Sequence, residues 1–166
     1  MKFLSDRSIS QHKEYVKTLT HRLTALEKSA PEVIGKSLSE IKKRHFLNKN
    51  DIIRLRAEIE CHNIFFSSFG NMYQSSQCVK NTYTTEASFL YELLEAASET
   101  EKSFMGIYMK RGVPQVALGN PTELLNIETP ILAVDLCEHA YFLDFGFSKR
   151  EYLKNLLPYL NLSKLV

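Results

Sequence analysis

The hydrophobic period changes close to residue 100, and that change limits the folds open to this chain. Before it, apolar side chains recur every three or four residues, as one face of a helix requires. Ile9, Val16, Leu19, Leu23 and Leu26 form such a stripe over residues 5–28. Ser5 or Ser8 suits its start, and Ser29-Ala30-Pro31 its end. A short helix is expected over 33–45, then a turn at Asn48-Lys49-Asn50. Asn50 or Asp51 caps a second long helix, with a stripe of Ile52, Leu55, Ile59, His62, Phe65 and Phe66, ending near Gly70-Asn71. A polar join around 74–81 leads to a third helix over 84–100. Beyond it the period shortens. Residues 104–110 and 113–118 read as strands joined at Lys110-Arg111-Gly112, a hairpin signal. Residues 120–128 read as loop with at most one helical turn, ILAVDL as a short buried strand, and 148–160 as a last helix disturbed near Pro158. The pattern is α+β: an N-terminal antiparallel helical hairpin, residues 1–80, and a C-terminal lobe, residues 81–166, with a small antiparallel sheet flanked by helices.

The bulk numbers exclude some functions. A net charge of +2 on 166 residues gives no basic footprint, so nucleic acid is not an expected partner. No apolar run approaches a membrane span, and MKFLSDRSIS lacks a long apolar core and a cleavage site, so neither membrane nor export is expected. Cys61, Cys78 and Cys137 are odd in number and unpaired in spacing, which fits a reducing cytoplasm. Tryptophan is absent.

The stretch DLCEHAYFLDF, residues 135–145, sets Asp135, Glu138 and His139 among leucine, alanine, tyrosine and phenylalanine. Burying a carboxylate is costly unless something positive meets it. Asp135 ends the expected strand and His139 follows four residues later. His62 lies on the apolar stripe of the second long helix and His12 on the first. Three imidazoles and one carboxylate, brought together, would suit iron or manganese. Two plainer readings stand beside this: His62 as a satisfied core residue, and Asp135 with His139 as a structural pair. His21 and His45 sit among charged neighbours and read as solvated.

The same residues carry a resemblance. DLCEHAYFLDFGFSKREYLKNLLPYLN resembles the C-terminal signature of the iron/manganese superoxide dismutases, Asp-x-Trp-Glu-His-Ala-Tyr followed by aromatics, an arginine, a tyrosine and a last helix. Asp135, Glu138, His139, Ala140, Tyr141, Arg150 and Tyr152 match in register. CHNIFFSSFGN is similar to the family's Asn-His-x-x-Phe-Trp, through His62 and Phe65, with Phe66 where tryptophan is usual. The resemblance implies a helical hairpin followed by a lobe with a three-stranded sheet. It implies one iron or manganese per chain, held by His12, His62, Asp135 and His139. The implied reaction converts two superoxide anions to oxygen and hydrogen peroxide as the metal cycles between +3 and +2. Glu138 and His139 imply a homodimer bridged glutamate to histidine across a two-fold axis.

The first ligand has two registers. Ser5-x-x-Ser8-Ile9-x-x-His12 matches the family's Ser-x-x-Thr-Met-x-x-His and makes His12 the ligand. The family's Tyr-Val-x-x-Leu-Asn matches from Tyr15, five residues too early, which turns the helix face by about 140°. In that register Arg7 stands at the ligand position and its guanidinium pairs with Asp135. The His12 register is the more economical, since it keeps the whole ligand set. Other positions depart. Cys137 and Phe104 stand where tryptophans wall the family's site, and Glu58 and Asn120 where a glutamine neighbours the metal-bound solvent. The resemblance gives Glu58, Asn120, Tyr15, Cys137 and Tyr141 places around the metal, and their changes bear on its potential. Two other readings stay open: a family member kept as a structural or interaction module, and one whose metal takes Cys61 or Cys137.

Overall fold

The computed structural model describes residues 3–166. Helix α1 runs Asp6–Lys28, and the Ser5 hydroxyl accepts from the Ser8 amide at 3.2 Å to cap it. The Ser5 amide donates to the Asp144 carboxylate at 2.8 Å, tying this cap to the far end of the chain. The helix expected over 33–45 is shorter. Pro31 starts a single 3-10 turn, Gly35 takes φ +72°, and only α2, Leu38–Lys42, forms after it, held by a Ser37–Glu40 capping box.

Helix α3, Lys49–Ser67, starts one residue before the expected caps, after Asn48 in the left-handed region. It buries Ile52, Ile53, Leu55, Ala57, Cys61, His62 and Phe65. That face is broader than the stripe read from the sequence, because α3 packs on α1, α2, α6 and a sheet strand. The pairing with α1 is antiparallel. Arg56 Nε donates to Glu27 at 2.8 Å, Tyr15 meets Glu58 and His12 meets His62, so partners climb one helix as they descend the other.

The polar join contains a helix the sequence did not signal. Helix α4, Gln77–Tyr83, buries only Val79, too little for a stripe, and starts at a Ser76 cap. Helix α5 spans Glu86–Ser98 behind a Thr85 cap. Strands β1, Phe104–Lys110, and β2, Val113–Gly119, form the hairpin, with Arg111 and Gly112 both at positive φ. Strand β3, Leu132–Asp135, joins the other edge of β1, so the antiparallel order is β2-β1-β3. Between β2 and β3 the expected turn is α6, Pro121–Ile127, with an Asn120–Glu123 capping box. The chain leaves β3 into α7, Glu138–Phe145, then α8, Lys149–Leu156. Pro158 ends the regular helix in a 3-10 turn over Leu157–Tyr159.

This is an α+β fold with a three-stranded antiparallel sheet. Its main core gathers Phe65, Phe89, Phe104, Met105, Leu132 and Tyr152; a second cluster of Ile41, Ile52 and Val33 sits under α2. Strand register sets Phe104 of the central strand opposite Asp135. The end of β3 therefore abuts α3 and meets α1 across it. Among the described residues no helix is long and apolar enough to cross a membrane.

Candidate metal centre

Four separate elements deliver His12, His62, Asp135 and His139 to one point. His12 lies two turns into α1, a position fixed by the Ser5 cap. His62 occupies the buried face of α3. Asp135 is the last residue of β3, and His139 follows in the first turn of α7. Their four donor atoms lie within 4.8 Å of one another. Asp135 Oδ2 is 3.1 Å from His12 Nε2, 3.3 Å from His62 Nε2 and 2.9 Å from His139 Nε2. His62 Nε2 and His139 Nε2 are 3.3 Å apart. His12, His62 and Asp135 are buried, and the His139 side chain is 29% exposed.

The fixed hydrogen bonds show which atoms face inward. His62 Nδ1 lies 2.6 Å from the Glu58 carbonyl oxygen, so it carries the hydrogen and leaves the Nε2 lone pair toward Asp135. Asp135 Oδ1 accepts from the Cys137 amide at 2.9 Å, which turns Oδ2 inward. The buried Tyr152 hydroxyl donates to the Asp135 carbonyl at 2.9 Å and fixes the strand end. Although they are close, His12 Nε2 and Asp135 Oδ2 make no well-formed hydrogen bond, and His12 Nδ1 also lacks a partner among the described residues.

Lone pairs and an anion crowding into a dry pocket repel unless a proton or a cation lies between them. Donors bound to one ion at about 2.0–2.2 Å stand about 3.0–3.6 Å apart, close to the 2.9–3.3 Å from Asp135 Oδ2 to the three imidazoles. The group of four thus fits a transition metal. Three nitrogens and one hard oxygen suit iron, manganese or zinc; no thiol joins them.

The pocket's field has a clear sense. Complete burial pushes the Asp135 carboxyl up, yet the facing imidazoles outweigh it and hold it well below its ordinary 3.8. Burial drives His12 below 6.5 despite Asp135. For His62 burial also pulls down, but Asp135 prevails and the value rises.

Aromatic rings close the surroundings. Phe65 and Phe66 lie 5.1 and 5.0 Å from the His12 ring, Phe104 lies 5.1 Å from His62, and Tyr15 covers His139 at 4.3 Å. The Tyr15 hydroxyl donates to Glu58 Oε1 at 2.5 Å. Burial and then the Glu58 carboxylate raise the phenol far above 10, so it stays protonated.

The other residues singled out in the sequence fall in different places. Arg7 is exposed on α1, while His12 faces Asp135. Cys137 precedes α7, its thiol 3.6 Å from the Ser103 carbonyl oxygen and raised by burial. Burial pushes the Cys61 thiol up to about 12. Both cysteines are therefore thiols here, and neither belongs to the group of four. Asn120 accepts from the Ser103 hydroxyl at 3.2 Å, at the edge of the site. Tyr141 stacks on Tyr152 with ring centroids 4.8 Å apart. Glu138 is exposed and makes no ion pair with His139 among the described residues. His21 and His45 are exposed. Sequence reasoning missed the tie from Tyr152 to the Asp135 carbonyl and the Glu58 carbonyl as the His62 acceptor. Tyr152 was visible in the C-terminal motif; a backbone acceptor has no residue signature.

The sequence model of the iron/manganese superoxide dismutases, C-terminal domain, matches residues 67–165, more than half of the chain. No curated protein matches the sequence.

Proposed function

The chain belongs to the iron/manganese superoxide dismutase family, and on that premise we propose that it holds one iron or manganese ion and converts superoxide to oxygen and hydrogen peroxide. The observation carrying this reading is the convergence of His12, His62 and His139 on Asp135 Oδ2, at 2.9–3.3 Å. Iron or manganese would supply the reversible one-electron exchange that zinc cannot. Asp135 gives the only negative charge among the four donors, so the loaded site remains cationic and attracts an anion. His139, the one partly exposed donor, marks the side from which a small anion arrives. Phe65, Phe66 and Phe104 keep bulk water from the other imidazoles. Tyr15 holds a proton at its hydroxyl oxygen beside His139, anchored by Glu58. Glu58 can only accept where an amide could also donate, which changes how this chain tunes the metal.

Elemental analysis and a superoxide dismutation assay test the proposal together. About one iron or manganese per chain, with activity, is the expected result. Protein that stays metal-free after refolding with either ion would overturn it and leave a dismutase fold kept for its shape. The three unpaired cysteines favour a cytoplasmic setting.

We also infer a homodimer. Glu138 is free of His139 within the chain, and Phe142, Leu143 and the 78%-exposed Phe147 offer apolar surface on the same segment. Like metal-bound histidines generally, His139 needs an acceptor for Nδ1, and Glu138 of a second copy would provide it. Glu138→Ala should move the protein from dimer to monomer in analytical ultracentrifugation. An unchanged dimer would remove this role from Glu138.

A further inference from the structure

A cavity of about 310 Å³ lies beside the four-residue cluster and is lined in part by His139. Arg54 and Glu58 of α3 line it. Phe104, Pro121 and Cys137 line it as well. A small side chain helps to leave this room: the Cys137 thiol donates to the Ser103 carbonyl oxygen at 3.6 Å. We propose that the cavity binds a neutral, single-ring aromatic molecule bearing one hydrogen-bond donor, of the size and chemistry of phenol.

The walls dictate a flat apolar body. Phe104, Pro121 and the Cys137 side chain supply apolar lining, and the Ser103 hydroxyl beside them is already donated to Asn120 at 3.2 Å. The volume fits one ring. It sits at the lower end of the roughly 300–1,000 Å³ range of ligand sites, and an apolar cavity of about 150 Å³ suffices for benzene.

Glu58 dictates the polar handle. Its Oε1 accepts from Tyr15, but among the described residues its Oε2 has only a 3.6 Å ion pair with Arg54, a guanidinium also drawn to Asp51 at 3.5 Å. A carboxylate has about four acceptor sites, so lone pairs remain for an incoming O–H or N–H. Charge argues for a neutral ligand. Arg54 is offset by Glu58 and Asp51, so it offers no surplus to an anion. Glu123 at the rim is already paired with Lys102 at 3.1 Å, so little is left for a cation. The inference needs no metal, because every contact named belongs to the protein.

The test is ¹⁹F NMR titration of the full chain with 4-fluorophenol, in chelator-treated and metal-loaded forms, against fluorobenzene, which lacks the donor. Saturable binding of 4-fluorophenol is expected in both forms, with fluorobenzene about tenfold weaker. Cys137→Trp, which fills the cavity, should abolish binding while circular dichroism stays unchanged. Should that variant fail to fold, Glu58→Gln decides: it keeps the shape and should weaken 4-fluorophenol about tenfold without affecting fluorobenzene. Equal affinity for the two probes, no saturable binding, or unchanged binding in a folded Cys137→Trp protein would each overturn the proposal. Because the chelated form is included, failure to load metal would leave this result readable.

Discussion

Asp135→Ala protein should purify without iron or manganese and should not dismutate superoxide. Asp135 is the only anion among the four donors, and its Oδ2 lies within 3.3 Å of all three imidazole Nε2 atoms. Alanine leaves three neutral nitrogens and a gap where the shared donor stood. Removing a group that merely orients a metal ligand costs about 10–100-fold in affinity, so losing the charged ligand should exceed about 100-fold. Asp135→Asn separates charge from shape. The amide oxygen can still accept from the Cys137 amide, as Oδ1 does at 2.9 Å, so the fold should hold while metal content falls. Arg7→Ala is the contrasting control. Arg7 is exposed, and its loss should leave metal content and activity unchanged. Elemental analysis with an activity assay on the three variants checks all of this. Full metal occupancy in Asp135→Ala would remove Asp135 from the site, and loss of metal in Arg7→Ala would revive the other helix register.

Stripping the metal should lower the melting temperature by about 10 °C at neutral pH. A ligand present at about a thousand times its dissociation constant stabilises by roughly 4 kcal/mol. In a chain of this length each kcal/mol moves the midpoint by about 2–4 °C. The loaded form should also lose more stability on acidification than the metal-free form, whose own titrating groups oppose one another near neutrality. Asp135 is held below 3.8 in the fold, so its contribution is present above that value and lost as pH falls through the folded value. His12 is lowered from 6.5, so the unfolded chain takes up its proton first and stability falls as pH drops below 6.5. His62 is raised and acts oppositely, its contribution present below 6.5 and lost as pH climbs through its raised value. In the loaded protein, protons compete with the metal for the three imidazoles, so the two forms should converge in acid. Calorimetry from pH 7 to pH 3, with and without chelator, measures both effects. Identical midpoints at pH 7 in the two forms would show that no metal is coupled to this fold.

Much of the architecture was legible because its signals are local. The stripes of α1 and α3, the Ser5 cap and the Lys110-Arg111-Gly112 turn each act within a few residues. Helix α4 was not legible, since one buried valine makes no period, and the helix over 33–45 was overstated because Gly35 breaks it. The candidate site was legible through residue type and spacing at Asp135, Glu138 and His139. Its first member was legible only as the preferred of two registers. In sequence, His12 and Arg7 were alternatives separated by a helix rotation. Which of them faces β3 depends on how α1 rolls against α3, through the Tyr15–Glu58 and Glu27–Arg56 contacts.

The sequence by itself determined the family, the α+β order of elements and three of the four converging residues outright, with His12 as the preferred fourth, because period, caps and a dense local motif are written within short stretches of chain. Only the tertiary structure decided that His12 meets Asp135 while Arg7 faces solvent, and that a cavity opens beside His139. Both depend on the packing of α1, α3, β1 and α7, elements far apart in sequence whose approach is set by side-chain volume and helix rotation rather than by any local signal.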